Sequence, residues 1–118
     1  MAYNTDELNV QEGLEYSMDN VDFYKEILET YMEETTDQIK QMDEHLASGN
    51  MPEYATLVHA VKSGSRLIGA AALGEDAFAL EQKSKADDID FVRANHDNLK
   101  AHVDVVFEAI RGYIAEIS

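Results

Sequence analysis

His59, Lys62 and Arg66 follow one another at intervals of three and four residues in a stretch whose apolar residues recur with helical spacing. A helix advances about 100° per residue, so the three side chains share one face. The rest of that face is small or weakly polar: Ala55, Thr56, Ser63 and Ala70. The chain carries 24 Asp and Glu, yet none falls within residues 54–74. A solvated helix face in so acidic a protein should carry carboxylates. Here an imidazole stands with two cations instead.

That arrangement suits a modifiable histidine. The neutral imidazole is a nucleophile at physiological pH. A phosphoryl group placed on it would bring nearly two negative charges, which Lys62 and Arg66 could offset through charge-assisted hydrogen bonds. The small neighbours Ala55, Ser63 and Ala70 would leave room for a second protein to bring up its own reactive group. Phosphoryl transfer needs mainly positioning and charge stabilisation, so a sparse site can suffice if the partner supplies metal and acceptor. By spacing alone, an incidental surface histidine beside ordinary cations fits equally well.

The elements that position this face are helical nearly throughout, because one proline and six glycines leave few breaks in 118 residues. A short first helix is expected over residues 6–16. Asp19 or Asn20 then caps a long second helix with the stripe Tyr24, Ile27, Leu28, Tyr31, Thr35, Ile39, Met42 and Leu46, ended by Ser48-Gly49-Asn50. Pro52 opens the third helix, which is expected to run to Leu73 and stop at Gly74. Its core face is Tyr54, Leu57, Val58, Val61, Ser65, Ile68, Ala71 and Ala72, with Gly64 at the edge. A mid-helix glycine costs about 1 kcal/mol relative to alanine, so Gly64 is expected to relieve a steric conflict. A fourth helix over residues 75–85 turns Ala77, Leu80 and Ser84 inward. The last carries Val92, Leu99, Val103, Val106, Ile110, Tyr113 and Ile117. Short loops between long helices favour antiparallel neighbours, so the expected fold is all-α: an antiparallel up-and-down four-helix bundle preceded by a short helix, one domain over residues 1–118.

Composition narrows the function. A net charge of −15 repels nucleic acid and anionic lipid. Without cysteine there is no disulfide, thiolate metal site or cysteine nucleophile. Nothing near the N terminus resembles a signal peptide and no long apolar run follows, so a cytoplasmic location is expected.

The run His59-Ala60-Val61-Lys62-Ser63-Gly64-Ser65-Arg66-Leu67-Ile68-Gly69-Ala70-Ala71-Ala72-Leu73 resembles the histidine-phosphotransfer signature. That signature is a histidine, an apolar residue at +2, lysine at +3, small residues to +6, then an isoleucine–glycine–alanine step. Ala77 with Leu80-Glu81 resembles the family's fourth helix, and Tyr24-Lys25-Glu26-Ile27-Leu28 the start of its second. The resemblance implies that His59 is phosphorylated on Nε2 and that Lys62 balances the phosphate. Ser63 and Gly64 would be the small positions that admit a receiver domain, and Gly69 would match a family glycine. The implied partners are a response-regulator receiver domain and a hybrid sensor kinase, with Mg²⁺ contributed by the receiver and no cofactor of the chain's own. Val61 stands where leucine is commoner, and Ser63-Gly64 where many members read glycine–serine. A monomeric, free-standing module is expected, although a segment cut from a hybrid kinase would look the same.

Rival readings are weaker. Di-iron bundles need Glu-x-x-His pairs, and the residues three before the four histidines are Met42, Thr56, Arg93 and Leu99. His45, His96 and His102 read as surface or boundary histidines. No nucleotide motif or phosphate-cradling loop supports autonomous kinase activity. A bundle that binds partners without carrying phosphate is the remaining alternative.

Overall fold

The computed structural model describes residues 5–118, which form five helices: α1 (Val10–Tyr16), α2 (Val21–Ser48), α3 (Met51–Ile68), α4 (Ala71–Lys85) and α5 (Ile89–Ile117). Among the described residues the fold is all-α, as expected, and no helix is long and apolar enough to cross a membrane. Side-chain caps fix four of the starts. The Asn9, Asn20, Asn50 and Asp88 oxygens accept from the backbone N–H of Glu12, Phe23, Glu53 and Phe91, satisfying donors that the helix itself leaves open.

Three boundaries differ from the sequence expectation, the third being the start of α4 at Ala71 rather than residue 75, which follows from the early end of α3. α1 begins at Val10 rather than residue 6. Ahead of it the Thr5 hydroxyl accepts from the N–H of Glu7 and Leu8, which holds that segment in a turn. α3 ends at Ile68, not Leu73, because Gly69 takes φ +95° and closes the helix with its N–H on the Arg66 carbonyl. An added Cβ at Gly69 would meet the Asn9 carbonyl oxygen at 2.2 Å. Gly69 is therefore the terminator, and Gly74, expected in that role, lies inside α4.

The four longer helices contact one another in the ring α2–α3–α4–α5, with α1 laid on α3 and α2. Tyr54, Val58, Val61, Ser65 and Ile68 of α3 face the core, whereas Ala71 and Ala72, expected there, are exposed because the chain has already turned into α4. Two tyrosines of α2 and one of α3 itself tie α3 to its neighbours from within. The Tyr24 hydroxyl donates to the Ile68 carbonyl (2.7 Å), Tyr31 pairs with the Ser65 hydroxyl (2.8 Å), and Tyr54 meets Nδ1 of His96 (2.8 Å). Gly64 explains itself here, since a Cβ would press on the Tyr31 ring at 3.2 Å. α3 is thus gripped along its inner side and closed firmly at its end.

Candidate functional site

His59 projects from the middle of α3 with 56% of its side chain exposed, while its neighbours Val58 and Val61 are fully buried. Its Nδ1 lies 2.6 Å from Oε2 of Glu81, on the facing side of α4. Lys62, one turn after His59, places Nζ 2.6 Å from Oε1 of the same carboxylate, and Lys85 approaches Oε2 at 3.1 Å. Glu81 is the hub, and its side chain is only 1% exposed. Burial pushes its carboxyl upward, but hydrogen bonds from Lys62, His59 and Lys85 outweigh burial and hold it down at about 2.

An ionised carboxylate only accepts hydrogen bonds. Nδ1 of His59 must therefore carry the proton, and in the neutral ring the lone pair sits on Nε2, on the side away from Glu81. The three cationic or protonated donors around one carboxylate leave the cluster with a net positive charge of about one before any anion arrives. Arg66, two turns along, lies over the Phe78 ring of α4 at 5.6 Å, and Lys62 approaches the same ring at 5.5 Å. Beside His59 an open cleft of about 630 Å³ runs between α3 and α4, lined by Met51, Pro52, Ala55, Thr56, Glu81 and Lys85 among others.

The structure sorts the sequence-derived site residues. His59, Lys62 and Ser63 stand together on the outer face with Arg66, and Gly64 is half-buried toward α2. Ala55 was expected to be exposed; it is buried because α4 packs across that side of α3 and leaves it only as cleft floor. Ala70 is fully buried, since α3 stops at Ile68 and residue 70 has left its outer face to start α4. Glu81 was missed as a site residue. Its signal was present: Ala77, Leu80, Glu81 and Ser84 share one face at spacings of three and four, and a carboxylate on an inward stripe demands cationic partners. His96 is a core residue, bonded through Nε2 to Asp43 at 2.6 Å, and His102 is clasped by Glu7 and Asp76.

An Hpt domain family model matches residues 26–114, most of the chain and all of this site. The chain belongs to the Hpt domain family. That places it in histidine phosphotransfer of two-component signalling. Its fold is similar to the crystal structure of histidine-containing phosphotransfer protein B from Pseudomonas aeruginosa PAO1, with a TM-score of 0.85 at 16% identity over 92% of this chain and 95% of that one. No curated protein matches it in sequence. In this Hpt domain, α3 and α4 carry the cluster of His59, Lys62 and Glu81, and the other helices pack against those two.

Proposed function

We propose that His59 is the phosphorylated residue of this Hpt domain and exchanges its phosphoryl group with aspartates of receiver domains. The observation that carries the reading is the Nδ1 contact to a buried, ionised Glu81, which leaves the Nε2 lone pair on an exposed edge. In the forward step Nε2 attacks the phosphorus of an aspartyl phosphate. The N–P bond forms as the acyl P–O bond breaks, and the aspartate leaves as a carboxylate. The proton on Nδ1 stays in place throughout, held by Glu81, and the added positive character of the ring is met by that same carboxylate. Lys62 stabilises the transferred oxygens, since it can share its three donors between Glu81 and phosphate. In the reverse step the receiver aspartate attacks and His59 leaves as the neutral imidazole.

The acceptor aspartate belongs to the partner, and the Mg²⁺ that offsets its charge is the receiver's. Ser63 is the small exposed position over which the receiver closes, while Gly64, turned toward Tyr31 of α2, serves the packing beneath it, and a hybrid sensor kinase is the upstream source. The chain works in this reading as a cytoplasmic monomer with its long helices running up and down. Incubation with phosphoramidate, followed by intact mass and ³¹P NMR, tests the first half. One phosphoryl group lost on His59→Gln, and then passed to a purified receiver domain, is the expected result. A protein that stays unphosphorylated with phosphoramidate and with a phosphorylated receiver domain is an interaction module instead.

A further inference from the structure

Arg66 lies two turns beyond His59, about 10 Å along α3. A partner of ordinary size covers about 800 Å² per side, a disc of roughly 16 Å radius. A partner whose footprint is centred on His59 therefore covers Arg66. The four cations near the site differ in what already holds them. Lys62 and Lys85 are bound to the buried Glu81, and Lys83 sits 4.0 Å from Asp88 at the far end of α4. Among the described residues Arg66 pairs with one carboxylate, Glu75, through a 3.4 Å contact at one guanidinium nitrogen, and that carboxylate is 72% exposed. An exposed pair of that length contributes little and is easily exchanged.

The position of Arg66 is nevertheless built. Gly74 in α4 is buried, and the atoms that bury it are those of Arg66: an added Cβ would stand 2.9 Å from Cγ and 3.4 Å from Nε. The absence of a side chain at 74 opens a channel across α4, through which the Arg66 stem passes to lay its guanidinium against Phe78. That ring is itself 39% exposed, so the guanidinium stacked on it stays within reach of a partner. Packing the stem and stacking the planar head lower the entropy lost when the fork engages an anion.

We propose that Arg66, seated through the gap at Gly74 and over Phe78, is the arm that selects the partner by pairing with a carboxylate on the receiver surface, Glu75 holding its place until then. The inference rests on the proposed function, and charge complementarity identifies the occupant. Residues 54–74 carry no acid in a molecule of net charge −15, so this is the face on which an acidic surface is least repelled. Guanidinium takes carboxylate as a planar, two-pronged pair, and a carboxylate on the partner exchanges one for one with Glu75.

The test charges the protein with phosphoramidate and measures KM and kcat for transfer to whichever member of a panel of purified receiver domains accepts fastest. Arg66→Gln is expected to raise KM about tenfold with kcat held, and to flatten the dependence of transfer on salt. Glu75→Gln should lower KM by removing the placeholder. Gly74→Ala should move KM in the direction of Arg66→Gln without changing any charge. A KM and salt dependence for Arg66→Gln within twofold of wild type overturn the proposal while wild-type transfer leaves the phosphotransfer reading standing. Failure of wild type to charge any receiver overturns both.

Discussion

If His59 carries the phosphoryl group as proposed, Lys62 is the residue at which chemistry and stability meet. Spacing alone makes it an outer-face side chain whose removal costs little, but its stem is largely covered and its ammonium is a partner of the buried Glu81. Removing one partner of a buried ion pair typically costs about 3–5 kcal/mol. His59 and Lys85 still hold Glu81, so Lys62→Ala should lose roughly half of that, about 2 kcal/mol, read as a drop in urea midpoint. Phosphoryl transfer, measured well below that midpoint, should slow by about tenfold if about 1.4 kcal/mol of transition-state stabilisation is lost. Unchanged transfer with the lowered midpoint would make Lys62 purely structural. Ser63 poses the converse case. It is exposed one residue further on, and Ser63→Phe leaves the core side of α3 untouched. In-line transfer suffers about a hundredfold from a misplacement of roughly 1 Å, so the bulky ring should obstruct a receiver aspartate and hinder phosphoramidate far less. Equal rates with the receiver before and after the change would move the docking surface elsewhere.

At the scale of elements, the α3–α4 junction is the point on which the site depends. Gly69 takes a left-handed φ and passes the Asn9 carbonyl more closely than any Cβ allows, while its own carbonyl accepts from the Asn9 N–H at 2.9 Å. Gly69→Ala should therefore destabilise by about 1–3 kcal/mol, the usual range for forced backbone strain, whereas Gly49→Ala meets no backbone atom and should cost less. Equal urea midpoints for the two variants would refute the close-approach account. The segment ahead of α1 is held a second way, by His102 of α5, whose ring nitrogens face Glu7 on one side and Asp76 of α4 on the other. Burial pushes the His102 pKa down, but the two carboxylates outweigh burial and raise it. A raised folded-state value gives stability that is complete below the unfolded pKa of about 6.5. It is lost as pH climbs through the higher folded value. The stability difference between wild type and His102→Gln should accordingly shrink as pH rises from about 6 upward, and a constant difference would exclude the clasp. Glu7 with His102 and Glu81 with His59 illustrate what a sequence hides. Helix content, the core stripes and the His59–Lys62 face follow from spacings of three and four within one segment. The clasp joins residues 95 apart and the hub joins residues 22 apart, so only the folded packing brings them together. The choice between Gly69 and Gly74 as terminator was hidden for the same reason. Both glycines suit a C-cap locally, and what decides is the backbone of residue 9 against one and the Arg66 stem against the other.

Across the whole molecule, charge acts over distances that single pairs do not. The described chain measures 44 × 21 × 20 Å and the full sequence carries a net charge of −15. At 0.01 M salt the Debye length is about 30 Å, so charges on opposite sides of the bundle still repel; at 1 M it is about 3 Å and they do not. Salt also weakens the ion pairs, but those with both partners exposed, such as Arg66 with Glu75 and Arg111 with Glu108, contribute little, and the pair of Lys62 with Glu81 is covered and screened least. Repulsion is the larger salt-sensitive quantity, because 24 acidic residues face only nine Lys and Arg. The melting temperature should therefore rise when sodium chloride is increased from 10 mM to 500 mM, a range below that in which excluded salts act mainly by strengthening apolar burial. Potassium chloride should give the same rise at equal ionic strength, since screening depends on charge and not on the identity of the ion. A melting temperature that falls with either salt would mean that attractive pairs outweigh the excess of negative charge, and that the acidic surface is arranged to spare the fold rather than strain it.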